Sequence, residues 1–216
     1  CMLNLIFKDI IVQKRSLLFI LFYLIICIFS FKGMPIGVFL YIVTITLIFF
    51  LITGSYSYDE RNKSDLVISS LPITRKEIII SKYISVILYN IVALGVMTIF
   101  MLGVKILNIS LDTQFFKLND VINVFIASLL LASFMFPIYS KFGFTKSRVI
   151  TFITYFSLFG FTTSIASSSN RRALSSIYRF LQAISSNSYI LLAVSFIIYL
   201  LSMYFSIKIY ENKELA

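Results

Sequence analysis

The chain has 216 residues, of which 59% are hydrophobic and only 13% charged, and its mean hydropathy is +0.96. Those values lie far outside the range of soluble globular domains and imply an integral membrane protein. A net charge of +10 with no histidine raises nucleic acid as a partner, but the basic residues fall between apolar runs rather than on one soluble face. Anionic membrane lipids and the positive-inside rule account for them instead, and no nucleic-acid partner is expected. The two cysteines, Cys1 and Cys27, have no metal-ligand spacing and receive no role.

In chain order, residues 2–14 place Leu3, Ile6, Phe7 and Ile10 at helical spacing, with Asn4, Lys8, Gln13 and Lys14 elsewhere. This predicts a short amphipathic helix in the membrane interface, too charged to span. No small-residue cleavage site follows an apolar core, so no cleavable signal peptide is expected.

Six apolar runs follow, at 16–31, 35–55, 82–104, 121–140, 149–167 and 189–207. Most approach the roughly 20 residues needed to cross about 30 Å of hydrocarbon. The expected fold class is therefore all-α and polytopic, a single transmembrane domain over 1–216 with six spans. The first two runs are joined only by Lys32, Gly33 and Met34 and should form a tight hairpin. The third helix can begin as early as Arg75 and would then be about 45 Å long. Pro137 should kink the fourth span and free a carbonyl that Ser133 or a neighbouring helix would satisfy.

The longest polar stretch, 56–83, lies between two strongly apolar runs. Ser57 and Glu60 have the spacing of a capping box, and Thr74 and Glu77 repeat it, so two helix starts are expected with a corner at Pro72 between them. On the first helix Leu66, Val67 and Leu71 sit apart from Asp59, Glu60, Arg61, Lys63 and Asp65. A solvated mixed-charge end beside a small apolar end suits docking of a partner protein.

Counting Lys and Arg, thirteen fall on the side of 56–81 and both termini, and six on the other: Lys32, Lys105, Lys117, Arg171, Arg172 and Arg179. Both termini should be cytoplasmic. The stretch 168–188 holds three of those six. It is either a hydrated loop or short helices re-entering the outer face, and Arg171, Arg172 and Arg179 are candidates for an outer gate.

No Asp, Glu, Lys, Arg or His is expected well inside a span, which argues against a proton-coupled transporter. Neither an intramembrane metal site nor a carboxylate pair is expected, and Gly143 to Ser147 is no phosphate loop. The chain should not be an enzyme, and energy for active work must come from another chain. In the fifth span Thr151, Thr154, Tyr155 and Thr162 either line a polar path or bond back to their own helix, and the second reading is preferred. Gly95 with Gly103, and Ser128 with Ala132, would allow close helix approach.

The string YDERNKSDLVISSLPITRKEIIISKY, after two spans and the amphipathic start MLNLIFKDIIVQK, resembles ABC-2 type permeases, the membrane subunits of bacterial ABC exporters. Among them it is most similar to permeases of the phenol-soluble modulin exporter and related antimicrobial-peptide exporters. The resemblance implies a type V exporter-like architecture with six spans, an interfacial N-terminal helix and a coupling helix between spans two and three. It implies two cytoplasmic ATPase subunits as partners, which bind ATP and magnesium, so that no cofactor belongs to this chain. A second permease copy or paralogue completes a dimer. By position, 59–70 would be the coupling helix, with Arg75 and Lys76 flanking it at the base of span three. For Arg75, Lys76 and Lys82, anchoring at the lipid headgroups is the alternative to a specific ATPase contact. The substrate expected is an amphipathic cytolytic or antimicrobial peptide. Alternatives are a lipid or drug, or a non-transporting scaffold or sensor that recruits a cytoplasmic protein through the same loop.

Overall fold

The computed structural model describes residues 5, 7–9, 11, 13, 20, 22–24, 26, 36–62, 74–106, 118–166 and 188–212, with side chains left undescribed at 36–38, 158–159 and 161–166. The first expected span, 16–31, lies mostly outside them. So do the Pro72 corner and the stretch 168–188.

Five helices make up the longer described segments: α1 (Ile36–Arg61), α2 (Arg75–Ile106), α3 (Leu118–Phe142), α4 (Phe144–Ala166) and α5 (Ser188–Glu211). The described residues contain no strand. Among the described residues four segments can cross a membrane by length and composition, namely Phe39–Arg61, Arg75–Ile106, Leu118–Phe142 and Ser188–Glu211. The described residues from Leu5 to Ile11 are also helical.

Local chemistry explains most of the boundaries. At the start of α2 the Thr74 amide donates to Glu77 Oε2 at 3.0 Å and the Glu77 amide donates to Thr74 Oγ1 at 3.3 Å. That is the reciprocal cap expected from the sequence. The Ser57–Glu60 pattern does not behave in the same way. Helix α1 runs through it without a break to Arg61, because the apolar run before Ser57 is already helical and its amides are already bonded. Glu60 is therefore free to cap a different helix.

Helix α3 packs on all four others, most extensively on α5. Between two helices in lipid there is little hydrophobic drive, since acyl chains are as apolar as leucine, so small residues and hydrogen bonds hold the contact. Helix α5 shows this directly. Its buried side chains are Ser195, Tyr199, Ser202 and Ser206, on one face, while Ile197, Leu201, Tyr204 and Phe205 point outward. Pro137 leaves the Ser133 carbonyl without its helical donor, and Ser202 Oγ of α5 donates to that oxygen at 2.6 Å. The neighbouring helix satisfies the freed carbonyl, whereas the Ser133 hydroxyl donates to Leu129. With its proton committed to Ser133, Ser202 accepts from Tyr83 Oη at 2.8 Å, which leaves Ser206 to donate to Tyr83 at 2.8 Å. Tyr199 Oη donates to the Tyr83 carbonyl at 2.6 Å.

The Ser128–Ala132 pair is fully buried, and Ser128 Oγ donates to Asn90 of α2 at 2.9 Å. Gly95 and Gly103 lie in open space instead, where an added Cβ would meet nothing within 4 Å. Among the described residues nothing packs closely on them.

The end of α1, the start of α2, the end of α3, the start of α4 and the end of α5 all meet at one end of the bundle. Arg75 donates to the Glu211 carbonyl at 2.9 Å and Lys76 lies 3.6 Å from the Glu211 carboxylate. Lys8 reaches the same end. The chain stretches near its two termini therefore converge beside the polar stretch.

Candidate functional site

Asp59 and Glu60 occupy the last turn of α1. Adjacent helical positions point about 100° apart, so the two carboxylates face different neighbours. Asp59 is directed at the N-terminal segment and α2. Its Oδ1 accepts from Lys8 Nζ at 2.6 Å, and its Oδ2 lies 2.5 Å from Lys82 Nζ. Lys82 also donates to Asp9 Oδ1 at 2.8 Å and to Ser55 Oγ at 2.6 Å. An ammonium has three N–H donors, and all three have an acceptor. The Tyr56 ring lies 5.2 Å from the same nitrogen, and Ser85 Oγ is 3.4 Å from the second Asp9 oxygen.

This cluster is buried. Side-chain exposure is 2% for Asp9, 9% for Lys82 and 15% for Asp59, where desolvation costs several kcal/mol per ion unless a partner and further hydrogen bonds replace water. Among the described residues, two aspartates and two lysines make the set electrically balanced. Lys82 is accordingly no headgroup anchor, and Asp59 is not part of a solvated charged end. Both expectations treated each charge with its sequence neighbours, whereas its partners come from segments more than twenty residues away.

Leu5, Asp9 and Gln13 are four residues apart and buried, while Phe7 and Ile11 are 60% and 67% exposed on the opposite side. Among the described residues of this segment Asp9 and Gln13 face protein and Phe7 and Ile11 face outward, as lipid contact requires. Gln13 Nε2 donates to the Leu51 carbonyl at 2.7 Å. Leu51 is eight residues, about 12 Å, back along α1 from Asp59, so the segment runs beside α1 as well as across its end.

Glu60 serves the α3–α4 junction. Its Oε2 accepts from the amides of Phe144 at 2.6 Å and Thr145 at 3.0 Å, and its Oε1 accepts from the Thr145 hydroxyl. A carboxylate on the unpaired amides at a helix start satisfies them and complements the helix dipole. Only Gly143 separates α3 from α4, with φ of 77°, a left-handed conformation that costs other residues about 1–2 kcal/mol. The junction of α3 and α4 is thus one glycine and a first helical turn. Gly143→Ala should destabilise the chain by about that amount through φ alone, because the new Cβ would sit 3.5 Å from Glu60 Oε2, an ordinary contact. Glu60→Ala should cost about 1 kcal/mol through the lost cap. Thermal unfolding of the purified chain measures both, and a Gly143→Ala chain as stable as the parent would contradict the backbone argument.

Between these contacts lies a cavity of about 70 Å³, bordered by Asp9, Asp59 and Lys82 and by Tyr56, Tyr139 and Ser140. The hydroxyls of Tyr56, Tyr139 and Ser140 are buried and find no hydrogen-bond partner among the described residues. The space is large enough for several water molecules, which such hydroxyls call for.

The remaining site residues expected from sequence divide clearly. Arg61 is exposed at the end of α1, and Arg75 and Lys76 meet Glu211. Lys63, Asp65, Leu66 and Leu71 lie outside the described residues, as do Arg171, Arg172, Arg179 and the Thr162 side chain. Thr151 and Thr154 donate to the carbonyls of Arg148 and Thr151, each at 2.8 Å. Thr46 donates to the Ile42 carbonyl, so Tyr155 is the donor in its 2.5 Å contact with Thr46. These α4 hydroxyls serve their own helix and α1.

What sequence reasoning missed is the partnership of Lys8, Asp9 and Lys82. The available signal was Asp9, a lone acid in a basic flank, on the same helical face as Leu5 and Gln13.

A sequence model described as ABC-2 family transporter protein matches residues 4–211, nearly the whole chain. The chain belongs to that family. No curated protein and no solved structure matches it. As an ABC-2 family chain it is a membrane component of a transporter, and permeases of this family work with an ATPase partner. The ion cluster of this ABC-2 chain ties the last turn of α1 to the first turns of α2.

Proposed function

We propose that the chain is the permease subunit of a bacterial ABC exporter, with both termini cytoplasmic and the stretch 62–74 docking onto a separate ATPase. The observation that carries this reading is the way that stretch is mounted. The helix ends it leaves from and returns to are tied together by Asp59–Lys82, and α2 is tied to α5 through Arg75 and Glu211. A docking element needs such a firm base if a push on it is to move helices rather than itself. Arg61 and Lys76, exposed on either side, and Lys63, Asp65, Leu66 and Leu71 between them are the proposed contact residues. Asp59 and Glu60 act inside the permease. Two permease copies, or one with a paralogue, would pair with two ATPase subunits that bind ATP and magnesium.

The proposed substrate is amphipathic, an antimicrobial or cytolytic peptide, with a lipid or hydrophobic drug as the alternative. Supporting this, the buried polar side chains nearer the middle of the described helices are uncharged, among them Thr44, Thr46, Asn90, Ser128 and Ser195. A pathway built from such groups favours apolar and hydroxyl contacts over ion pairs.

Replacing Leu66 and Leu71 together by Asp should weaken capture of the co-expressed ATPase at least tenfold, about 1.4 kcal/mol, with the amount of permease in the membrane unchanged. Undiminished capture would reject docking at 62–74. Capture by the parent chain with no ATP-dependent export would instead favour the scaffold.

A further inference from the structure

We propose that the last turn of α1 is a three-way joint, in which Asp59, Glu60 and Lys82 are positioning residues that carry a displacement of the 62–74 stretch to the N-terminal segment and to α4. This deepens the docking reading and rests on it.

The geometry assigns a separate branch to each neighbour. Through Asp59, α1 holds Lys8 directly and Asp9 by way of Lys82. Through Glu60 it holds the first two amides of α4. Both branches leave from consecutive residues of one rigid turn, so moving that turn must move both or break one.

Two further features favour motion here. The space among these groups includes a cavity of about 70 Å³, so at this end of the bundle the polar contacts make the connection, while farther along α4 the rings of Phe152 and Tyr155 pack on Phe49 of α1. Among the described residues, each driven element also has an outward side or a single-residue joint. The N-terminal segment turns Phe7 and Ile11 outward, and α4 is joined to α3 through Gly143 alone, whose positive φ makes it a natural pivot. Ionic and charge-assisted contacts suit such a joint because they tolerate small shifts that would open voids in a packed core.

Spin labels give the test, in the complete complex with its ATPase in lipid nanodiscs, after replacement of the two native cysteines. One label sits at Phe7→Cys or at Lys146→Cys, and the second at Leu118→Cys at the far end of α3. Addition of ATP to the parent complex should shift both distances. The triple variant D9N/D59N/K82M, which removes the ionic branch without leaving an unpaired buried charge, should lose the Phe7 shift and keep the Lys146 shift. E60Q, at an exposed position, should weaken the Lys146 shift at least twofold and keep the Phe7 shift. A general loss of stability would diminish both distances together, so branch-selective loss is the signature. If the triple variant and E60Q both move as the parent does, the joint is overturned while docking stands. If the parent chain captures no ATPase, docking itself fails and the joint with it. E60Q also keeps the first test decisive should the triple variant fold poorly.

Discussion

Lys82→Met should cost the chain about 3–5 kcal/mol, the usual penalty for removing one partner from a buried ion pair. The substitution keeps most of the side-chain volume and removes the ammonium that Asp9 and Asp59 share. Asp9, only 2% exposed, would then retain a buried charge with Ser85 and the more distant Lys8, which lies 3.8 Å away, as its neighbours. Adding Asp9→Asn and Asp59→Asn should restore most of the loss, because a cluster neutralised on both sides no longer contains an unmatched charge. The expected result is therefore strongly non-additive, with a triple variant more stable than the single one. Thermal unfolding of the detergent-solubilised chain measures it. A Lys82→Met chain with the parent's unfolding temperature would show that the cluster contributes nothing. A triple variant as unstable as the single one would show that Lys82 acts through packing.

Ser202→Leu is expected to be nearly as damaging, although leucine is the residue a membrane helix most readily accepts. Ser202 is buried at the α3–α5 contact and donates to the Ser133 carbonyl that Pro137 leaves free. Leucine there adds bulk to a close contact, at about 1–3 kcal/mol, and leaves that carbonyl without a donor, at about 1–3 kcal/mol more. Ser202→Ala should show only the second part. Leu201→Ser, one residue away on the outward face, should leave the α3–α5 contact intact. The three variants separate packing from hydrogen bonding by unfolding temperature. A Ser202→Leu chain more stable than the parent would mean that hydrophobicity, rather than fit, governs this helix. If Ser202→Ala alone unfolds like the parent, the Ser133 carbonyl has another donor.

The chain's own sequence determined whatever depends on composition or on a few neighbouring residues. Long apolar runs declare a membrane protein because nothing else can bury them. Thr74 and Glu77 declare the start of α2 because both partners of that cap lie within one turn. Pro137 declares a freed carbonyl because the missing N–H is covalent. Tertiary structure decided what depends on facing. Within an apolar span both faces are hydrophobic, so periodicity does not tell the side packed on protein from the side in lipid. The serines of α5 and the open space beside Gly95 and Gly103 among the described residues were accordingly illegible. Charges were illegible for a related reason. Asp9, Asp59 and Lys82 read singly as ordinary flanking residues, and only the approach of three distant segments turns them into a buried cluster. The same holds for Glu60, whose spacing from Ser57 is that of a local cap. Since α1 is already helical there, that carboxylate is left to hold the start of α4, and only the packing of α1 against the α3–α4 junction brings the two together.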